Sequence, residues 1–232
     1  EGNSKENERG IFKSHKASGS KPKKLVILLM GNLQDPGMSE EKAGMLKIYN
    51  QVKAEDKHDL LLCRVGSAYE DLKHKLYMSD DPSLNTNVVY EHISNLIEDR
   101  CHLKGSFSDH QRPREIDIVG FSWGAGVQKK LESRWQRLTG RDEARTACID
   151  AIQYGCNNFG DAICKKPKYS SQHLNIFQNN EYSLNGEKNC DKKDCDQFIN
   201  VDDIDPSEPD HSEIDDSKAV HQKLLKFIDS SR

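Results

Sequence analysis

Ser122 lies in the run Ile116-Asp117-Ile118-Val119-Gly120-Phe121-Ser122-Trp123-Gly124-Ala125-Gly126, a Gly-x-Ser-x-Gly pentapeptide set between two different periodicities. Before it, apolar residues alternate as in a short strand. After it, Val127, Leu131 and Trp135 are spaced by four with Leu138 close behind, as on one face of a helix. A serine at a sharp strand-to-helix turn presents its hydroxyl outward from a strained backbone, and only small neighbours permit the turn. A side chain at Gly120 or Gly124 would strike the adjoining strand or helix. The chemistry open to such a serine is nucleophilic attack on an acyl carbon. The pentapeptide alone is short enough to arise as a glycine-rich turn without chemistry, so the flanking strand and helix carry the argument.

This strand, turn and helix resemble the nucleophile elbow of the α/β-hydrolase fold. A serine hydroxyl is a poor nucleophile near neutral pH and needs a base, with a third group to orient that base. In the fold it resembles, the partners follow the serine in the order acid, then histidine. Three histidines follow Ser122. His173 immediately precedes an apolar strand, at the end remote from the reactive loops, and His221 lies within the last helix beside Val220. His211 sits in the loop Pro209-Asp210-His211-Ser212-Glu213-Ile214-Asp215, between the last strand and the last helix, and is the expected base; the alternative is an exposed histidine in an acidic segment. The favoured acid is Asp150, which ends the strand Thr146-Ala147-Cys148-Ile149-Asp150. Glu181, after the next strand, remains open. So do Asp202, Asp203 and Asp205, in a segment where eleven of the residues 191–216 are acidic, which is also how a solvated loop reads. The oxyanion formed during acyl transfer needs two fixed backbone N–H groups. One is expected from Trp123 and the other from Asn32 or Leu33, in the loop after the first strand, where Gly31-Asn32 also reads as a plain turn.

The elbow, the Cys-Ile-Asp-Ala segment at Asp150 and the His-Ser-x-Ile-Asp segment at His211 together resemble a lipase/esterase-type serine hydrolase of the α/β-hydrolase superfamily. The resemblance is to members whose acid follows the strand after the elbow strand. It runs in order and spacing from about Lys24 to Ile228 but matches only in short motifs. The chain departs from that pattern in lacking a His-Gly-Gly-Gly oxyanion motif and an obvious lid insertion, which puts interfacial lipase activity in doubt more than ester hydrolysis. The resemblance implies cleavage of a carboxylic ester or lipid acyl bond through an acyl-enzyme, with a small-molecule substrate and no cofactor. An acyltransferase or thioesterase would use the same residues, and a non-catalytic binding protein on a hydrolase scaffold is the other class.

These side chains need a scaffold, and 232 residues suffice for one domain with a substantial core. Strands are expected at Lys24–Met30, Leu60–Val65, Ile116–Phe121, Thr146–Ile152, Leu174–Phe177 and Phe198–Val201. Between them come helices: one after Ser39 with Met45, Ile48, Tyr49 and Val52 on its apolar face, and one after Asn85 with Val89, Ile93, Leu96 and Ile97. A final helix carries Val220, Leu224, Phe227 and Ile228. Strands apolar on both faces and separated by helices predict an α/β fold, a mostly parallel sheet covered by helices on both faces. Reactive loops then lie at the carboxyl ends of the strands, at Gly31-Asn32, Gly66-Ser67, Ser122 and Asp150. Residues 1–23, with almost nothing apolar beyond Ile11 and Phe12, read as a flexible tail before a domain at 24–232.

Charge and cysteines narrow the classes further. A net charge of −4 argues against general nucleic-acid binding, and no apolar run approaches the length of a membrane span. No apolar stretch of a secretory signal is visible, although a mature exported protein would look the same. Cys63 and Cys148 fall in apolar strand-like runs and Cys101 closes a helix. Cys156, Cys164, Cys190 and Cys195 fall in polar loops, where two disulfides would lean the reading towards export over a cytoplasmic location. Neither zinc at Cys190 and Cys195 nor calcium in the acidic loop has the ligand spacing its chemistry asks for, so no metal is expected.

Overall fold

Five consecutive apolar residues, Leu25 to Leu29, are fully buried in strand β3 (Lys24–Leu29), as a strand covered on both faces requires. The computed structural model describes residues 3–6, 12–19, 24–31, 34, 37–64, 115–122, 124, 125, 128, 144–151, 166–180 and 195–230. Among these residues one sheet of eight strands has the order β1-β2-β4-β3-β5-β6-β7-β8. The other strands are β1 (Asn3–Glu6), β2 (Phe12–Lys16), β4 (Asp59–Cys63), β5 (Glu115–Phe121), β6 (Ala144–Ile149), β7 (Ser170–Phe177) and β8 (Gln197–Asn200). Strands β3 to β8 are parallel, whereas β1 and β2 pair antiparallel at the edge beyond β4.

One face carries α1 (Gly44–Glu55) and α2 (Lys218–Asp229). Their Ile48, Tyr49, Val220 and Leu224 pack in one core with Val26, Leu28, Val119 and Ile176 of the sheet. On the other face the helical residue Ala125 packs with Cys148 and Ala151. This is the predicted α/β architecture.

The amino ends of the central strands hold a buried charged group that anchors α2. Arg145 on β6 donates to Asp117 on β5 through Nε at 2.8 Å and Nη2 at 2.5 Å. The same guanidinium donates to the carbonyls of Phe227 at 2.7 Å and Ser230 at 2.8 Å, and lies 4.6 Å from the centre of the Phe227 ring. Lys24 Nζ donates to the carbonyls of Ile228 and Ser230. Cations thus satisfy the orphan carbonyls at the helix C-terminus. At the other end of α2, Ser217 Oγ accepts from the Val220 N–H, a side-chain N-cap that fixes the chain just after the His211 loop.

Two expectations need correction. The segment 1–23 contains strands β1 and β2, so the sheet extends before residue 24. The outer edge of β4 offers unpaired backbone groups, and β2 satisfies them through its own backbone. Side chains complete the attachment: His15 Nε2 lies 2.6 Å from Asp56 Oδ1, Ser18 bonds the same carboxylate, and Ala17 N–H donates to Asp59 Oδ1 at 2.9 Å. His173 lies inside β7 rather than before it. The strand starts at Ser170, and the polar side chains at its beginning satisfy one another, with His173 Nδ1 2.8 Å from Thr146 Oγ1. The helix expected after Asn85, the turn Gly66-Ser67, the elbow-helix residues Val127, Leu131, Trp135 and Leu138, and Cys101, Cys156, Cys164 and Cys190 lie outside the described residues. Among the described residues no helix is long and apolar enough to cross a membrane.

Candidate active site

Ser122 directly follows β5 with φ of +51°, in the left-handed region that side chains with a Cβ seldom occupy. Its N–H donates to Ile149 O at 2.9 Å and its carbonyl accepts from Ala125 N–H at 3.2 Å, which closes the turn into the helical residues Gly124 and Ala125. The two glycines are required sterically. A Cβ on Gly120 would lie 2.7 Å from both N and Cα of Ala125, and one on Gly124 would lie 2.6 Å from Leu29 O and 2.7 Å from Met30 O. The hydroxyl that this elbow holds out lies 2.8 Å from His211 Nε2.

Asp150 follows β6 as Ser122 follows β5, again with positive φ, +41°. Its carboxylate is 0% exposed, and its Oδ2 lies 2.6 Å from His211 Nδ1. A carboxylate only accepts, so Nδ1 carries the proton and Nε2 is left to accept from the Ser122 hydroxyl. Phe121 stacks on the imidazole with ring centres 5.4 Å apart. Ser122, His211 and Asp150, which the sequence singled out separately, are therefore joined in one hydrogen-bonded chain.

Asp205 and Asp202 serve other groups. Asp205 accepts from Ser217 Oγ at 2.5 Å and from Ser207 N–H at 3.0 Å, and the Ser217 and Ser207 hydroxyls hold its pKa below the usual carboxylate value. Asp202 accepts from the Asn180 amide at 2.7 Å, and Asp203 is exposed. Glu181 lies outside the described residues, as do Asn32, Leu33 and Trp123, the expected oxyanion donors. The described Gly31 does border the serine: a Cβ there would lie 2.7 Å from Phe121 Cδ1 and 3.3 Å from Ser122 Cβ. Among the described residues no group of three or more His, Cys, Asp and Glu side chains is arranged to hold a metal ion.

Sequence reasoning missed the neutral residues that hold this chain in place. Gln178, just past β7, donates to Asp150 twice, from Nε2 at 2.9 Å and from its backbone N–H at 3.3 Å. Its Oε1 accepts from Asn180 N–H at 2.7 Å, and the Asn180 amide reaches Pro209 O at 3.4 Å, next to the His211 turn. The same strand-end rule that selects Asp150 also selects Gln178, but an amide does not titrate, so a search for an acid passes over it. His221, set aside as a base, donates from Nε2 to Asp215 O at 2.6 Å and so braces the His211 segment.

No protein-family model and no curated protein matches the sequence. Solved structures match in fold. A candidate thioesterase from Silicibacter is 12% identical with a TM-score of 0.54, over 95% of this chain and 80% of that one. A candidate dienelactone hydrolase from Klebsiella pneumoniae is 10% identical with a TM-score of 0.50, over 94% and 92%. The chain spans 43% of an acetyl xylan esterase from Thermoanaerobacterium, at 12% identity and a TM-score of 0.39. The chain has the α/β-hydrolase fold.

Proposed function

We propose that the protein is a serine hydrolase that cleaves a carboxylic ester or lipid acyl bond through an acyl-enzyme. The observation that carries this reading is the hydrogen-bonded chain from Ser122 Oγ through the His211 ring to Asp150, with spacings of 2.8 and 2.6 Å. Ser122 Oγ attacks the acyl carbon while its proton passes to His211 Nε2. The tetrahedral adduct collapses, the bond to the leaving oxygen breaks, and His211 returns the proton to that oxygen. Water then attacks the acyl-serine with His211 again as base, which releases the carboxylic acid and restores the hydroxyl. Asp150 holds the ring in the required tautomer and stabilises the imidazolium. The oxyanion is assigned to backbone N–H groups at Trp123 and at Asn32 or Leu33. The similar structures bear the names thioesterase and dienelactone hydrolase, which belong to the same reaction class; this chain's own side chains support the reading. A fluorophosphonate tests it: one adduct is expected, mapped by mass spectrometry to Ser122 and absent from Ser122→Ala. Folded protein that takes up no adduct would speak against an enzyme.

A further inference from the structure

Two side chains outside the Ser122–His211–Asp150 chain connect the loop after β3 to the segment that carries His211. Gly31 N–H donates to Gln34 Oε1 at 3.2 Å, and Gln34 Nε2 donates to Asp215 Oδ2 at 2.9 Å. Asp215 lies four residues past His211 and is 1% exposed. The backbone N–H groups of Gly44 and Met45, at the start of α1 where Ala43 offers no side-chain cap, favour its ionised form. Its carbonyl accepts from His221 on α2 and sits so close to α1 that a Cβ on Gly44 would lie 1.7 Å from it. Asp215 is therefore held by α1, by α2 and by its own turn, while the other end of the bridge touches the residue that borders Ser122.

The bridge has only one workable polarity. A backbone N–H can only donate, so Gln34 must turn its oxygen to Gly31 and its NH2 group to residue 215. Residue 215 then faces three N–H groups and has to be an acceptor, which a carboxylate is. Burial pushes this carboxyl up to about 6 against the pull of the Gln34 amide. The charged and titratable groups around it are Asp216, which is paired with Lys47 at 2.6 Å, and His221, whose pKa burial holds below the ordinary histidine value.

We infer that Gln34 and Asp215 are positioning residues that fix Gly31 against Ser122 and lock it to the His211 loop, so that nucleophile and base keep one geometry. The inference rests on the reading of Ser122 as nucleophile. Gln34→Met, in a half-buried place where the fold should survive, removes both bonds of the bridge. Its kcat for p-nitrophenyl acetate should fall by between about 10- and 100-fold, as small misplacements of reacting groups do, with KM within about threefold and the melting temperature little changed. Gln34→Glu supplies a signature that a merely structural role lacks. When protonated, its carboxyl can accept from Gly31 and donate to Asp215; when ionised, it repels Asp215. Its kcat relative to wild type at the same pH should be near one at about pH 6, where the two carboxyls share one proton, and fall to the Gln34→Met level by about pH 8. An unchanged kcat in Gln34→Met, a loss that merely follows the melting temperature, or a pH-independent ratio in Gln34→Glu overturns the inference alone, provided turnover depends on Ser122. Wild-type protein that neither hydrolyses the ester nor takes up fluorophosphonate at Ser122 overturns both readings together.

Discussion

Asp150→Asn keeps the shape of the side chain and removes its charge, so it isolates what the carboxylate contributes. Asp150 Oδ2 takes the two short bonds, from His211 Nδ1 at 2.6 Å and Gln178 Nε2 at 2.9 Å, while Oδ1 takes the Gln178 N–H at 3.3 Å. An asparagine whose oxygen occupies the place of Oδ2 keeps both short bonds and opposes N–H to N–H at the long one. The reverse orientation opposes donors at both short contacts unless the imidazole moves its proton to Nε2, where it can no longer accept from Ser122. Unmatched buried donors are costly, so the first orientation should dominate. The loss of rate is then chiefly the lost attraction between carboxylate and imidazolium. Unit charges about 4 Å apart at an effective dielectric of about 20 attract by about 4 kcal/mol, which is about 10³-fold in kcat. Any share of the second orientation carries the loss towards about 10⁴-fold. Hydrolysis of p-nitrophenyl acetate measures it, with circular dichroism to establish that the variant is folded; Glu181→Gln and Asp205→Asn should cost far less. A folded Asp150→Asn variant within tenfold of wild type would refute the assignment of Asp150 and leave the serine reading standing.

Further outcomes follow from other parts of the fold. His211→Ala should abolish turnover of the same ester, by several orders of magnitude, whereas His173→Ala should retain it, because His173 bonds Thr146 inside the sheet; equal activity in His211→Ala would place the base elsewhere. Arg145→Met should destabilise the protein by about 3–5 kcal/mol in urea unfolding, since it takes the two short bonds from the buried Asp117 carboxylate, leaving Lys24 at 3.4 Å, and the donor from the Phe227 carbonyl of α2. A cost below about 1 kcal/mol would mean that Lys24 alone suffices as the anchor. Burial pushes the Cys63 thiol up to about 12, so iodoacetamide at about pH 8 should modify it only after unfolding. Fast modification of Cys63 in native protein would show that the β2–β4 edge opens.

What the sequence made legible is what depends on local sterics and on burial of apolar runs. The Gly120 and Gly124 requirement follows from the turn alone, and the atoms that a Cβ would strike at each are backbone. Leu25 to Leu29 leave no polar face, so a covered parallel strand is their natural setting. Asp150 was favoured over the other acids because it ends an apolar strand, and that placement is what buries it. Arg145 shows the opposite case. It is a charge inside a strand, and its partners are α2 carbonyls more than 80 residues away in sequence, which no periodicity reveals. Strands β1 and β2 were illegible because edge pairing is driven by backbone groups, which every residue carries. Gln34 and Gln178 escaped because their roles depend on which neutral amide meets which loop, and that is decided by tertiary packing alone.

The register of the sheet explains why these residues converge. Phe121 of β5 pairs with Ile149 of β6, which pairs with Ile176 of β7, so the three strands run out at one level. Ser122 and Asp150 are the next residues on adjacent strands, about 5 Å apart along the sheet by parallel pairing, and both leave it through the same left-handed backbone kink. A single imidazole held above them can therefore touch both. Gln178 comes from the third strand, one neighbour further on. A second carboxylate there would repel Asp150 across a dry site. An amide instead donates to it twice and passes the constraint on through Asn180 to Pro209, two residues before His211. The strand ends thus set the order serine, aspartate, amide, and the amide ties Asp150 to the loop that carries His211.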